Sequence, residues 1–402
     1  MSGERAEQCR GELLVKLAIV GGGIFGAVIA LKLGEAGESV TIFERREGLL
    51  LGTSLLGNRL HYGFHYPRDD ETARQCLRGY QEFRREFEAA IRPGVSNAYF
   101  IASGGSLTSP DDYLLFCRRL GLPFQVVEPD AFRPTIENVS LGMLTEEVLY
   151  DVAVLRRLLT ERLMRAGVEV RLGAGVDALR RLKGGGFAVE TSRGDVASFD
   201  VVVNCSYAEV NHLTAQLGHA IETRQYEYAA VPIMEIDWPV EASVTILDGP
   251  FVSLLPYGPR GQYLVAHVAD QIIAREDTRL MNPAWCDART SPFASTDRQL
   301  WLESYLGRCC EFLPDLRAGR VLGFLKRPRM VVAGREDTDA RRSFVTVHEP
   351  GYMSVFSGKI DHCFWIAEEV RSKLMSSSLE QPEEADRYRP RRSLDRSSGP
   401  SR

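Results

Sequence analysis

Apolar and polar positions change their spacing several times along this chain, and each change marks an element. Leu17 to Val20 is a short apolar run of the kind a strand buried on both faces shows. A glycine turn follows, and then a helical pattern from Ile24 to about Ala36. Gly37 suits the left-handed position that ends a helix, and a second strand is predicted at Ser39 to Phe43. Strand, helix and strand in that order open a parallel sheet. From about Glu71 to Ala89, the residues Ala73, Cys76, Leu77, Tyr80, Phe83 and Phe87 recur at three and four positions, which predicts a longer helix. Another helix begins at Ser109-Pro110, with Ser as cap and Pro in the first turn, and stops at Gly121. A third runs from an Asp151 cap through Leu155, Leu158, Leu159 and Leu163 to Gly167.

Past Gly167 the pattern shortens to strands: Val168 to Leu172, Val176 to Leu182, Phe187 to Thr191 and Phe199 to Val203. The stretch from Tyr226 to Val268 also reads as strands, with turn signals at Asp248-Gly249-Pro250 and Gly258-Pro259. A last helix is predicted over roughly Ile360 to Leu374. The middle of the chain thus reads as a strand-rich domain inserted into, or laid against, the first. Residues 1–15 read as a loose tail. From Ser376 the chain turns to Ser, Pro, Glu and Arg, so 376–402 are expected to be disordered.

Composition narrows the classes. A chain of 402 residues suits two domains or one composite domain. With 49 basic and 54 acidic residues the net charge is -5, which gives no global electrostatic case for nucleic acid. Only 6 of the basic residues are Lys, so a single Arg says less about a site than a well-placed Lys does. The first residues carry charges throughout and lack a signal-peptide core. The longest apolar run, Leu17 to Leu31, has 15 residues, which is too short for a transmembrane segment. The eight cysteines show no CxxC spacing, so they read as reduced thiols of a cytoplasmic protein, and no metal is expected.

Chemistry enters at Gly21-Gly22-Gly23-Ile24-Phe25-Gly26, a GxGxxG between an apolar strand and a helix. Gly21 permits the tight turn, Gly23 lets backbone approach a pyrophosphate, and Gly26 lets helix and strand pack closely. Glu44 ends the second strand, where a carboxylate can take the ribose hydroxyls of an adenosine. No GxxxxGK[ST], HExxH or GxSxG is present, so phosphate-loop, zincin and α/β-hydrolase readings lack local support.

The run Asn58-Arg59-Leu60-His61-Tyr62-Gly63-Phe64-His65-Tyr66-Pro67, continued by Ala73-Arg74-Gln75-Cys76-Leu77-Arg78-Gly79, is more specific. It resembles the FAD-dependent oxidoreductases of the D-amino-acid oxidase type, a family that includes glycine and sarcosine oxidases. The local string looks most like the L-2-hydroxyglutarate dehydrogenase branch, although Arg59-Leu60 stands where that branch has small residues. Val201-Val202-Val203-Asn204-Cys205-Ser206 resembles the family strand that passes the cofactor, with Tyr207 in place of the expected glycine. Phe324-Leu325-Lys326-Arg327-Pro328-Arg329 resembles the strand that carries a carboxylate-binding Arg, and Ser357-Gly358-Lys359-Ile360 the segment over the flavin's pyrimidine end. The likeness covers roughly residues 17 to 372.

This resemblance implies an α/β protein with a discontinuous Rossmann-like FAD-binding domain (16–84, 140–215 and 320–375) and a β-rich antiparallel substrate domain (85–139 and 216–319). It implies FAD as cofactor, held by Gly21, Gly23, Ile24, Phe25, Gly26, Glu44, Arg45, Asn58, Arg59, Leu60, Ser206, Gly358, Lys359 and Ile360. Helix N-termini at Gly23 and Gly358 would each offer partial positive charge. His61 reads either as a general base or as a structural histidine in a crowded turn, and Lys359 as a charge at the flavin or a solvated Lys. Arg327 or Arg329 would clamp a substrate carboxylate. The expected reaction is hydride transfer to the flavin from the amine-bearing carbon of a small amine or amino acid, with oxygen or another acceptor taking the electrons. The alternatives are a 2-hydroxy-acid dehydrogenase with a His base and a dinucleotide-binding protein without catalysis.

Overall fold

The structure, a computed structural model, describes residues 15–334 and 338–379. Nearly all of both expected tails lies outside the described residues. The last helix, Cys363–Leu379, does run past the predicted end at Leu374 and into the segment expected to be disordered.

Six strands form the first sheet, in the order Phe344–Glu349, Tyr352–Phe356, Val201–Asn204, Lys16–Val20, Ser39–Phe43 and Glu169–Arg171. All neighbours run parallel except the first pair. The predicted strand-helix-strand unit is therefore the centre of the sheet. The helix Ile24–Glu35 buries almost every residue, because it packs on the sheet and is covered by Val152–Arg165 and the final helix. Its Ala27, Val28 and Leu31 share one core with Leu155, Leu159, Phe364 and Ile366. On the opposite face lies a three-stranded meander of Val176–Arg181, Phe187–Thr191 and Val196–Phe199. Its Leu179, Phe187 and Phe199 cover Ala18, Val20 and Phe43.

The single strand expected over Phe199 to Val203 is two. The chain leaves the meander at Phe199 and enters the main sheet at Val201. Asp200 makes the crossing: its carboxylate accepts from the Lys16 amide at 2.8 Å, and its own amide donates to the Lys16 carbonyl at 2.9 Å.

The second sheet has nine strands. It is antiparallel apart from one parallel pair, Ser96–Ala102 with Ala242–Leu247. Two expected boundaries are corrected by its pairing. Val139–Thr145 runs against Ser96–Ala102, and Arg320–Val332 pairs along Arg224–Glu235 from Val332 opposite Arg224 to Arg320 opposite Glu235. Residues 140–145 and 320–332 thus belong to the second sheet rather than to the first domain, where the resemblance places them. Hydrogen-bond pairing between segments so far apart leaves no local trace in sequence.

Between the sheets, Arg59–Leu60 pairs with Val148–Leu149 as a short ribbon. The helix Asp70–Glu86 starts one residue earlier than predicted, capped by Asp69, whose carboxylate accepts from the Thr72 amide at 3.2 Å. It closes over the far end of the chain at Gly79, where a Cβ would run into the Asp361 carbonyl.

Candidate functional site

A cavity of about 680 Å3 lies where the carboxyl ends of the central strands face the second sheet. In open α/β sheets this is where ligands bind. Gly21, Gly23, Ile24, Phe25, Glu44, Arg45, Arg59, Ser206, Gly358, Lys359 and Ile360 line it, as do His61, Arg327 and Arg329. Three residues of the expected set do not. Leu60 is core, Asn58 spends its amide on the carbonyls of Tyr150 (3.2 Å) and Pro256 (2.9 Å), and Gly26 faces the strand.

The glycine turn has the expected geometry. Gly21 has φ +105°, and a Cβ on Gly26 would collide with the Gly21 carbonyl, so helix and strand are in contact. Gly23 caps the helix without any side-chain acceptor, and a Cβ placed there would meet no heavy atom within 4 Å. The first helical amides are thus left to a ligand rather than to the protein. Glu44 accepts from the Gly22 amide at 2.7 Å and from the Arg46 amide at 2.9 Å, which fixes its carboxylate beside the turn. Arg45 reaches across to form an ion pair with Glu209, with Cys286 Sγ 3.9 Å from its Nη1.

Tyr207, at the position where glycine was expected, has φ +56°. The left-handed backbone of the turn is kept without glycine. Its hydroxyl bonds to the backbone of Met330, which compensates for the strain of a bulky residue in that region. Just before it, Asn204 Oδ1 accepts from the Ser206 hydroxyl at 2.6 Å.

Gly358 lies on the cavity wall, but it is not a helix N-terminus. The helical segment starts just beyond it, with Lys359 as cap and a single 3-10 turn, Ile360–His362, running straight into Cys363–Leu379. The Gly358 amide is already given to Ser343 Oγ at 2.7 Å, and a Cβ would strike the Arg341 carbonyl. The Gly358 amide itself is therefore not a free donor. Ser343 Oγ also meets His362 Nδ1 at 2.8 Å, and His362 Nε2 lies 3.5 Å from Cys76 Sγ, so this chain of contacts holds the 358–362 turn. Lys359 is half-buried on the cavity wall, its Nζ stands 5.1 Å from the Tyr66 ring centroid, and burial pulls its pKa down to about 8 against the opposing charge of Asp361.

His61 and His65 stand side by side with ring centroids 5.4 Å apart. Burial holds both well below the usual histidine range, and the charges of Lys359 and Arg59 push the same way. Both rings are therefore neutral at pH 7. Among the described residues, each has a buried Nδ1 without a hydrogen-bond partner, and the buried hydroxyl of Tyr66 also lacks one.

The two candidate clamps differ. Arg329 is committed to Glu227, with Nε to Oε2 at 2.6 Å, so its charge is already answered. Among the described residues, Arg327 donates hydrogen bonds only to carbonyls, those of Leu51 (3.2 Å) and Lys326 (2.6 Å). Burial and the nearby Arg46 pull its pKa down, the signature of a guanidinium without an anion.

The sequence reading missed Glu147. This carboxylate is fully buried beside His61, and no motif surrounds it in the chain. Among the described residues, no helix is long and apolar enough to cross a membrane.

The sequence profile of the DAO family, described as FAD dependent oxidoreductase, matches residues 16–354. The FAD-dependent monooxygenase FPY4 of Fusarium mangiferae is 28% identical over 367 residues, covering 90% of this chain and 92% of that protein. The FAD-dependent monooxygenase kojA of Aspergillus flavus is 25% identical over 380 residues, covering 89% and 85%. Among solved structures, glycine oxidase from Geobacillus kaustophilus has a TM-score of 0.67 at 16% identity, covering 90% of this chain and 95% of its own. The FAD-bound L-alpha-glycerophosphate oxidase of Mycoplasma pneumoniae has a TM-score of 0.70 at 14% identity, covering 90% and 95%.

Proposed function

Because this chain belongs to the family of FAD-dependent oxidoreductases, we propose that it oxidises a small polar molecule at a carbon bearing a hydroxyl group, with His61 as the base. The observation that carries the proposal is the neutral imidazole of His61 on the cavity wall, with its Nδ1 buried against the Glu147 carboxylate. An alcohol proton is too weakly acidic to leave unaided, so its removal needs a base in contact with it. A neutral histidine is the usual one.

The residues present fit FAD. The open cradle at Gly23 and the uncapped helix amides suit a pyrophosphate, and Glu44 stands where ribose hydroxyls would lie. Ser206, Lys359 and Ile360 line the same cavity and would face the flavin part. Bound FAD supplies the two-electron acceptor. The chain's own residues place the substrate and move its proton. Arg327, with no carboxylate partner among the described residues, would take an acidic group of the substrate and fix its orientation, while Nε2 of His61 would accept the hydroxyl proton. Oxygen or another acceptor would complete the turnover.

Oxidation of an amine-bearing carbon is the second reading, supported by likeness to proteins such as glycine oxidase. A free amine needs no base of this kind. The experiment is anaerobic: the yellow holoenzyme is mixed with matched pairs of 2-hydroxy and 2-amino acids, with neutral polyols and with simple amines, and loss of flavin absorbance is followed. Bleaching by hydroxylated compounds supports the proposal. Bleaching by amines alone removes it.

A further inference from the structure

Beside His61, and not itself lining the cavity, lies the carboxylate of Glu147, which has no exposed side-chain surface. Its Oε1 is 3.9 Å from His61 Nδ1. The carboxylate is held from several directions. The Tyr62 amide donates to Oε1 at 2.8 Å and the Tyr99 hydroxyl to Oε2 at 2.6 Å, while Arg59 Nε stands 3.7 Å from Oε2. Arg59 is itself pinned by Tyr99 (3.2 Å), by Ser243 (2.6 Å) and by Thr245. Glu147 therefore grips the turn that carries His61 and cannot swing away from it.

The ring nitrogen that faces this carboxylate has two possible states. If Nδ1 carried a lone pair, that lone pair would point at a negative charge in a buried, weakly screened place. If Nδ1 carries the proton, its N–H points at an acceptor. A shift of about 1 Å then closes the gap to hydrogen-bond length, the kind of tightening that ligand binding brings to such sites.

We propose that Glu147 is the positioning residue of His61: it keeps the proton on Nδ1, turns the lone pair of Nε2 toward the cavity, and offsets the positive charge the ring gains when it takes a substrate proton. The proposal rests on His61 being the base, and it deepens that reading. A ring held in the other tautomer would offer the cavity an N–H where a base is needed. The role of Arg59 follows. In place of the small residue expected there, this chain has a buried cation that keeps the charge of Glu147 company.

The test is tautomer-resolved NMR of the 15N-histidine-labelled, FAD-loaded full chain between pH 6.5 and 8, with His61→Gln used to assign the signal. The wild type should show the Nδ1–H form in roughly tenfold excess or more, the scale of one hydrogen bond to a charged group. Glu147→Gln should lower that excess by roughly tenfold, and Glu147→Asp should restore part of it. A wild-type ring with its proton on Nε2 overturns the proposal, and that spectrum decides even if a variant fails to fold. An unchanged tautomer in folded Glu147→Gln also overturns it. Neither result depends on activity. If His61→Ala reduced its flavin at the wild-type rate, the base would be wrong while the tautomer finding stood.

Discussion

The Tyr207 hydroxyl meets the backbone of Met330 twice, donating to its carbonyl at 3.0 Å and accepting from its amide at 3.2 Å. Tyr207 follows a strand of the parallel sheet, and Met330 lies on a strand of the other sheet. One side chain thus ties the cofactor turn to the strand that carries Arg327 and Arg329. It also satisfies backbone groups of Arg320–Val332 on the edge not paired with Arg224–Glu235. Tyr207→Phe should keep the ring and lose both bonds, lowering the unfolding free energy by about 1 to 3 kcal/mol. Chemical denaturation measures this directly, and an unchanged midpoint and slope would show that the tether carries no stability.

Gly23→Val places a branched side chain where a pyrophosphate must approach. Because a Cβ at Gly23 meets no neighbour within 4 Å, the empty fold should tolerate the substitution. The purified variant should therefore melt close to wild type yet be nearly colourless. A folded variant that retained stoichiometric flavin would remove the glycine turn from cofactor binding.

The two arginines should separate by phenotype. Arg327→Met removes a charge that no carboxylate among the described residues answers, so KM for an acidic substrate should rise about 10- to 100-fold with little change in stability. Arg329→Met strips Glu227 of one of its two cations, the other being Arg275 at 3.0 Å. It should lower stability and leave KM nearly unchanged. The reverse pattern would exchange the two assignments.

The acid limb of the rate should reflect His61. Burial, followed by Lys359, His65 and Arg59, lowers its folded pKa below the ordinary 6.5. The ring thus stays neutral and able to accept a proton down to below that value, and the rate of flavin reduction should be flat from pH 6.5 to 7.5 and fall only at lower pH. Stability has the same sign. The unfolded chain binds a proton with the ordinary pKa of 6.5 while the folded one binds it only at lower pH, so the contribution of the neutral ring is full above 6.5 and is lost progressively as pH falls from there through the folded pKa. An acid limb centred above pH 6.5 would exclude His61 as the group that titrates.

Local features were legible in the sequence. The strand Ser39–Phe43, the helix caps Ser109 and Asp151, and the Gly21 to Gly26 turn all depend on residues a few positions apart, and Glu44 follows from its place at the end of the second strand. What escaped was set by distant pairing. The strand Arg320–Val332 takes its place from Arg224–Glu235, and Glu147 matters only because Arg59, His61 and Tyr99 surround it. Gly358 looked like a helix start because glycine precedes an apolar pattern. Its true constraint, the close passage of Arg341, is invisible without the fold.

The most direct test of the account is the anaerobic rate of flavin reduction in wild type and His61→Ala, each loaded with FAD, using a hydroxylated substrate and its amine counterpart. General-base removal costs roughly 100- to 10,000-fold. The account predicts that His61→Ala slows oxidation of the hydroxylated compound by that order while its flavin content and melting point stay near wild type. A folded, FAD-replete His61→Ala protein that is reduced by the hydroxylated compound at the wild-type rate would contradict it.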